Sequence, residues 1–289
     1  MMRSVNKVFT VVVFLAASMS AAAAESIKGL SYSPSNLQSP TSEVSEAAVR
    51  RDLEALRAVT NHVRTYNVDF GLDRVPAIAR TLGMRVTLGL YIGKEAARND
   101  AQIVRGIKII EQNADVIDRI IVGNETIEHG GLTPDEIIAY IRRVKAEVPG
   151  MQVGTAENWH IWKANPHLGK AVDFIGVHLL PYWDGVSEST AVNYAMNRYK
   201  EMAALFPGRT IVVGETGWPS AGETRQAAVP SLQAQSDYVR GFIAQAKNLD
   251  YFVIEAFDQP WKAASFENSV GPHWGVFDTA RNPKFKLAP

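Results

Sequence analysis

The 289-residue sequence balances 30 basic against 30 acidic side chains and contains no cysteine. A chain without net charge has no electrostatic means of concentrating on nucleic acid or an anionic membrane, so an uncharged partner is expected. The missing cysteine excludes disulfides, thiol nucleophiles and thiolate metal sites together, and stability must come from a large core.

The chain opens with basic Arg3 and Lys7, an apolar run from Val8 to Ala17, and small residues ending Ala22-Ala23-Ala24 before Glu25. That order predicts a secretory signal peptide over residues 1–24. The run is shorter than the roughly 20 apolar residues that cross a bilayer, and no later stretch is apolar enough to anchor the chain. A secreted or periplasmic monomer is expected, with 28 basic and 30 acidic side chains once Arg3 and Lys7 are removed.

From Ile27 onward, short apolar runs alternate with longer stretches of helical character, and no linker divides them. In chain order the pattern predicts a strand Ile27–Ser31, a helix Ser45–Val59, a strand His62–Tyr66 and a helix Arg74–Leu82. A strand Arg85–Tyr91, a helix Asp100–Gln112, a strand Ile120–Asn124 and a helix Pro134–Glu147 with Thr133 as its N-cap follow. Next come strands Gln152–Thr155 and Phe174–His178, joined by a less regular stretch around His160 to Lys170. A helix Ser189–Leu205, a strand Thr210–Glu215, a helix Ser231–Asn248 and a strand Phe252–Ala256 complete the series. Eight strands with intervening helices fit one α/β domain over residues 25–289, a single (β/α)8 TIM barrel. A doubly wound sheet holding a nucleotide would need a glycine loop for its phosphates. The chain has no G-x-G-x-x-G or Walker loop, and no cofactor is expected.

Strand ends converge on one mouth in a closed barrel, and Tyr32, Tyr66, Tyr91, Glu125, Glu157, His178, Glu215 and Glu255 all stand at or just beyond strand ends. The apolar run Ile120 to Gly123 stops at Asn124-Glu125, and Ile211 to Gly214 stops at Glu215 before Thr216-Gly217-Trp218-Pro219. Two glutamates three strands apart would face each other across the mouth. A retaining glycosidase needs such a pair about 5 Å apart, one protonating the leaving oxygen and one attacking the anomeric carbon. Repulsion between the carboxyls is expected to raise the pKa of one of them. Arg64 is placed to hold Glu215 ionised, and Asn124 to bond the sugar hydroxyl beside the anomeric carbon. Tyr32, Tyr66, Tyr91, Tyr182, Trp183, Trp218, Phe257 and Trp261 lie in or beside strand-to-helix connections, where aromatic faces can stack on sugar rings. His178 with Glu157 and His160 invites a metal reading, but paired ligands after the first strand are absent. No metal is expected, and His178 is read as a hydrogen-bonding residue of the sugar site.

These residues resemble glycoside hydrolase family 17, the β-1,3-glucanases and related glucanosyltransferases. The resemblance covers nearly all of residues 25–289. It runs through Gly29-Leu30-Ser31-Tyr32, Val63-Arg64-Thr65-Tyr66, Val122-Gly123-Asn124-Glu125, Val172 to His178, Glu215-Thr216-Gly217-Trp218-Pro219-Ser220 and Glu255 to Lys262. It implies Glu125 as acid/base, Glu215 as nucleophile, a β-glucan substrate, and Lys262 near the sugars. Trp159-His160-Ile161-Trp162 and Phe257 to Lys262 bring it closer to the bacterial and fungal members than to the plant ones, and the bacterial type is expected. Gln259 departs from the family, since many relatives carry an acid there, and Glu267 is placed less securely. Retaining hydrolysis leads. A glucanosyltransferase using the same two glutamates is the near alternative, and a non-catalytic glucan-binding barrel the remoter one.

Overall fold

The computed structural model describes residues 27–265 and 267–287, so the expected signal peptide lies outside the described residues. Eight parallel strands run β1 Leu30–Ser31, β2 His62–Arg64, β3 Arg85–Leu90, β4 Ile117–Asn124, β5 Gln152–Asn158, β6 Phe174–Leu179, β7 Thr210–Thr216 and β8 Asp250–Val253. Each pairs with the next, and Leu30 of β1 meets Val253 of β8 to close the barrel. The helices between them are α1 Glu46–Leu56, α2 Val75–Thr81, α3 Ala96–Asn113, α4 Pro134–Glu147, α5 Trp159–Ala164, α6 Glu188–Leu205 and α7 Leu232–Gln245. Beyond β8 the chain makes two 3-10 turns, Pro260–Ala264 and Gly271–His273. The TIM barrel read from the sequence is the observed fold.

Alternation along the strands divides the core in two. Ile120 and Val122, Ile175 and Val177, Ile211 and Val213, and Tyr251 and Val253 pack outward under the helices. Ile121, Phe174, Val212 and Phe252 of the same strands join Ala156 in a separate cluster filling the barrel interior. Helix starts follow their caps. Ser45 accepts from Ala48 N, Ser231 from Ala234 N, and Thr133 forms a capping box with Glu136. Each such cap contributes about 1 kcal/mol. Helix α3 begins at Ala96, four residues before the expected Asp100, because Ala96-Ala97-Arg98 are strong helix formers. The fifth connection is a short helix followed by a 3-10 turn at Pro166–Lys170, which matches its irregular sequence.

Pairing register shifts between Ile121 and Asn124 on β4, between Val177 and His178 on β6, and between Val213 and Thr216 on β7. These three irregularities lie toward the carboxyl ends of their strands, where a local bulge re-aims the side chains that follow, whereas a fourth, between Val86 and Thr87, lies near the start of β3.

Candidate active site

Glu125 follows β4 through Gly123, whose φ is 79°. A Cβ there would lie 2.7 Å from Thr126 Oγ1 and 2.9 Å from Ile137 Cδ1, so only glycine fits this turn. Glu125 itself has φ 50°, a left-handed conformation costing a non-glycine residue about 1–2 kcal/mol. Two backbone bonds hold it there: Glu125 N–H donates to Ala156 O at 2.8 Å, and His129 N–H donates to Glu125 O at 3.0 Å. Glu215 belongs to β7 itself, and Gly214 before it leaves room for its neighbours. A Cβ on Gly214 would lie 3.0 Å from the His178 ring and 3.3 Å from Arg64 Nη1.

The two carboxyls face each other across the mouth, with one oxygen of each and one His178 nitrogen all within 4.8 Å. Arg64, fully buried on β2, donates from Nη1 to Glu215 Oε1 at 3.1 Å and to Gly214 O at 2.5 Å, and from Nη2 to Asn124 Oδ1. The Tyr66 hydroxyl donates to the same Glu215 Oε1 at 2.9 Å. Glu125 is held by a different set. Asn158 Nδ2 donates to its Oε1 at 3.0 Å, His178 Nδ1 lies 2.7 Å from that oxygen, and His129 Nε2 lies 3.1 Å from Oε2. One carboxyl is bound by a permanent cation and a phenol, and the other by two imidazoles and an amide.

This asymmetry has electrostatic consequences. Burial pushes the Glu125 carboxyl up, but the hydrogen bonds and charges of His129 and His178 outweigh it and hold the group well below the usual carboxylate range. The repulsion-raised acid expected from sequence is therefore not found at Glu125. Burial, with the nearby Glu215 carboxyl, keeps the Tyr66 phenol protonated far above its ordinary value. Burial also raises Glu255 to about 7, although Lys262 Nζ donates to it at 2.8 Å, and raises Glu267, which lies 3.4 Å from the same ammonium. The Ile254–Glu255 peptide bond is cis.

The residues singled out from sequence separate into groups. Arg64, Tyr66, Asn124 and His178 gather around the two carboxyls. Tyr91, 39% exposed, borders a cavity of about 360 Å³ that reaches Asn124 and Glu125. Trp183 borders a second cavity, of about 480 Å³, that reaches both glutamates. Trp261 and Lys262 border a third, of about 210 Å³, with Tyr66.

Four of the rings expected as sugar platforms are buried. Trp218 and Phe257 are fully buried; Trp218 donates Nε1–H to Val229 O at 3.2 Å, and Phe257 packs against Phe277. Tyr182 is buried, with its hydroxyl on Glu223 O at 2.8 Å, and its ring meets Trp183, Trp218 and Trp274 edge to face. Tyr32 lines the third cavity but is buried, with its hydroxyl donating to Asp52 at 3.0 Å. Connections bring aromatics to the barrel mouth, but these rings turn inward and support the exposed ones. Trp274, which the sequence reading missed, is stacked under Trp183 with centroids 6.0 Å apart.

His129 and Asn158 were also missed. Strand β5 runs to Asn158 rather than ending at Thr155, which carries Asn158 to the mouth. His129 lies four residues after Glu125, a spacing that one helical turn brings onto the same side. The histidine set weighed for a metal is dispersed: Glu157 accepts from Ile127 N and Glu128 N, and His160 pairs with Glu128 at 2.8 Å. Among the described residues the group with metal-like spacing is Glu125, His178 and Glu215. The Arg64 guanidinium, 3.1 Å from Glu215 and 3.4 Å from His178, already supplies the positive charge there and would repel a divalent ion.

Residues 29–275 match the BtgE/BtgC glycoside hydrolase domain. A glucan 1,3-beta-glucosidase of Arthroderma benhamiae is 29% identical over 260 residues, covering 83% of this chain and 84% of that one. A glucan endo-1,3-beta-glucosidase of Emericella nidulans is 26% identical over 292 residues, 89% of this chain but only 44% of that longer relative. Among solved structures, an active-site mutant of the Rhizomucor miehei beta-1,3-glucanosyltransferase, in complex with laminaritriose, superposes with a TM-score of 0.82. It is 27% identical, covers 92% of this chain and 98% of that one, and is a glycoside hydrolase family 17 enzyme.

Proposed function

The chain belongs to the BtgE/BtgC glycoside hydrolase family, and on that footing we propose that it cleaves β-1,3-glucan with retention of configuration, Glu125 acting as acid/base and Glu215 as nucleophile. The observation that carries this reading is the carboxyl pair within 4.8 Å, each member held by a different kind of partner. A retaining pair sits about 5–5.5 Å apart, whereas an inverting pair leaves room for an intervening water. Arg64 and Tyr66 both donate to Glu215 Oε1, which leaves Oε2 to attack the anomeric carbon. Glu125 protonates the departing oxygen and then takes the proton of the incoming water. Asn124 Oδ1 is occupied by Arg64, so its amide N–H is the group directed to the hydroxyl beside the anomeric carbon. Tyr91, with Arg98 4.1 Å over its ring, and the half-buried Trp183 and Trp261 line the cavities in which flanking sugars would lie, and Lys262 lies beside the third cavity. The test is a 2-fluoro β-laminaribioside with a good leaving group, which should leave its sugar on the peptide carrying Glu215. A label on any other peptide, or complete hydrolysis without a trapped species, would refute the assignment.

A second reading is transfer to a sugar acceptor in place of water. The 480 Å³ cavity beside Glu125, with Trp183 stacked on Trp274 at its wall, favours it as a place for an acceptor ring. Products longer than a laminari-oligosaccharide substrate at high concentration would establish transfer, and their absence would leave hydrolysis. The bacterial flavour rests on the Trp159–Trp162 and Phe257–Lys262 runs, while the relatives compared above are fungal. Residues 1–24 we read as a cleaved signal peptide preceding a catalytic domain over 25–289 and directing it to the periplasm or beyond. Among the described residues no helix is long and apolar enough to cross a membrane.

A further inference from the structure

The acid/base role of Glu125, on which this inference rests, leaves open where its proton resides before sugar binds. Its Oε1 is engaged twice, by Asn158 at 3.0 Å and by His178 Nδ1 at 2.7 Å. Arg64 Nη1 lies 3.4 Å from the other His178 nitrogen, Nε2. A guanidinium only donates, so the shared network puts the His178 proton on Nδ1, pointing at Glu125. Oε2 is therefore the oxygen turned to the leaving group, and His129 Nε2 occupies it at 3.1 Å. The His129 side chain is 49% exposed and borders both the 480 Å³ and the 360 Å³ cavities. A glycosidic oxygen approaching Oε2 must take the place of this imidazole.

We infer that His129 is the proton store of the acid/base: it keeps Glu125 charged in the empty site and hands over its proton when the leaving sugar displaces it. In that step the His129 Nε2–H bond breaks, an O–H bond forms on Glu125 Oε2, and neutral imidazole moves aside. Glu125 then gives this proton to the departing oxygen as the glycosidic bond breaks and Glu215 bonds to carbon. In the second step water or an acceptor hydroxyl gives its proton to Oε2 as its oxygen displaces Glu215. The proton returns to His129 when the product leaves, and the cycle closes without a co-reactant. His129 acts through Glu125 and is a positioning residue in this scheme.

The surroundings favour the stored charge. Glu125 and Glu128 face His129 from its own turn and Glu157 from β5, and these carboxylates raise its pKa, the hydrogen bond to Glu125 most of all. Lys94, Glu95 and Arg98 share its smaller cavity, and His160, Asp184, Arg225 and Glu267, with Glu215 beyond Glu125, share the larger. The Glu125–His129 pair then titrates as a unit, and the basic limb of kcat/KM on glucan belongs to the pair rather than to a lone carboxyl.

The test compares pH profiles of His129→Gln and His129→Arg with that of the unaltered enzyme on laminaritetraose and on 2,4-dinitrophenyl β-glucoside. Glutamine removes the proton store, and arginine keeps the charge but does not deliver a proton. Both variants should move the basic limb at least about one pH unit lower, a tenfold loss per unit on the neutral side. The loss should be about tenfold greater on laminaritetraose than on the aryl glycoside, whose leaving group needs little protonation. An unmoved basic limb in either folded variant, or equal losses on both substrates, overturns the inference. Thermal unfolding identifies a variant that fails to fold, in which case the other carries the same test. Glu125→Ala keeping near-normal laminaritetraose cleavage would instead overturn the acid/base reading beneath it.

Discussion

Replacing each glutamate by alanine should produce two different enzymes, because the structure gives the carboxyls different partners. Glu125→Ala removes the proton donor and leaves Arg64, Tyr66 and Glu215 bonded as before. General acid catalysis contributes about 10²–10⁴ in rate, so glucan cleavage should fall by that factor, equivalent to about 3–5 kcal/mol of barrier. An aryl glycoside with a good leaving group should still glycosylate Glu215, and the glycosyl-enzyme should accumulate for want of a base. Glu215→Ala should abolish turnover of every substrate, since no covalent intermediate can form. It also strips the buried Arg64 of its carboxylate, and breaking a buried ion pair costs about 3–5 kcal/mol, so its unfolding midpoint should drop as well. Azide separates the two cases. In the Glu125 void it lies on the face the leaving group vacated and gives a β-glycosyl azide with retention. In the Glu215 void it lies on the opposite face and gives the inverted α-azide. Proton NMR of the azide products reads the outcome. Inverted azide from Glu125→Ala, or near-normal glucan cleavage by either variant, would refute the roles assigned here.

Activity should persist in strong chelator, because the charge beside Glu215 and His178 comes from Arg64; loss with EDTA restored by a divalent ion would revive the metal reading. Stability should fall as pH rises from about 4.5 toward about 7, since burial lifts the folded-state pKa of Glu255 from its ordinary 4.5 to about 7, and the folded chain binds the extra proton in that window. Lys262 stays charged throughout and adds nothing to the slope, so Glu255→Gln should flatten the dependence of the unfolding midpoint on pH, and an unchanged slope would count against it. Gly214→Ala should lower kcat on glucan by tenfold or more, because its Cβ, 3.0 Å from the His178 ring and 3.3 Å from Arg64, must displace the groups that orient both carboxyls; wild-type kcat would refute this.

The barrel and the carboxyl pair at its mouth are legible in the sequence for one reason. An apolar strand ending abruptly in a polar residue places that residue where the strands converge, and Ile120 to Glu125 and Ile211 to Glu215 both have this form. Arg64 and His178 sit on strands by the same logic. The logic weakens where a side chain's direction depends on what the chain does after the strand. Tyr182, Trp218 and Phe257 occupy the connections expected of sugar platforms, yet each finds its partners inward: a carbonyl for the Tyr182 hydroxyl, a carbonyl for the Trp218 indole, another ring for Phe257. Aromatic identity alone is the same for a ring that meets sugar and a ring that supports one.

His129 and Asn158 were hidden for converse reasons. Asn158 follows a run whose strand character fades at Thr155 in sequence, and only the pairing of Glu157 with Val177 and of Asn158 with His178 extends β5 far enough to bring it to Glu125. His129 depends on the left-handed Glu125 and on the backbone bond that closes the turn after it, neither of which a single sequence displays. Of the two imidazoles that hold Glu125 charged, His129 is thus supplied by the irregular backbone after the strand, while His178, like the amide of Asn158, comes from a regular strand. The protonation of Glu125 accordingly rests on both a strand and a turn, and only the turn's share is separable from the barrel. A substitution at His129, which neither carries a carboxyl nor belongs to a strand, can change the pH at which the enzyme works while leaving Arg64, His178 and Glu215 on the strands that place them.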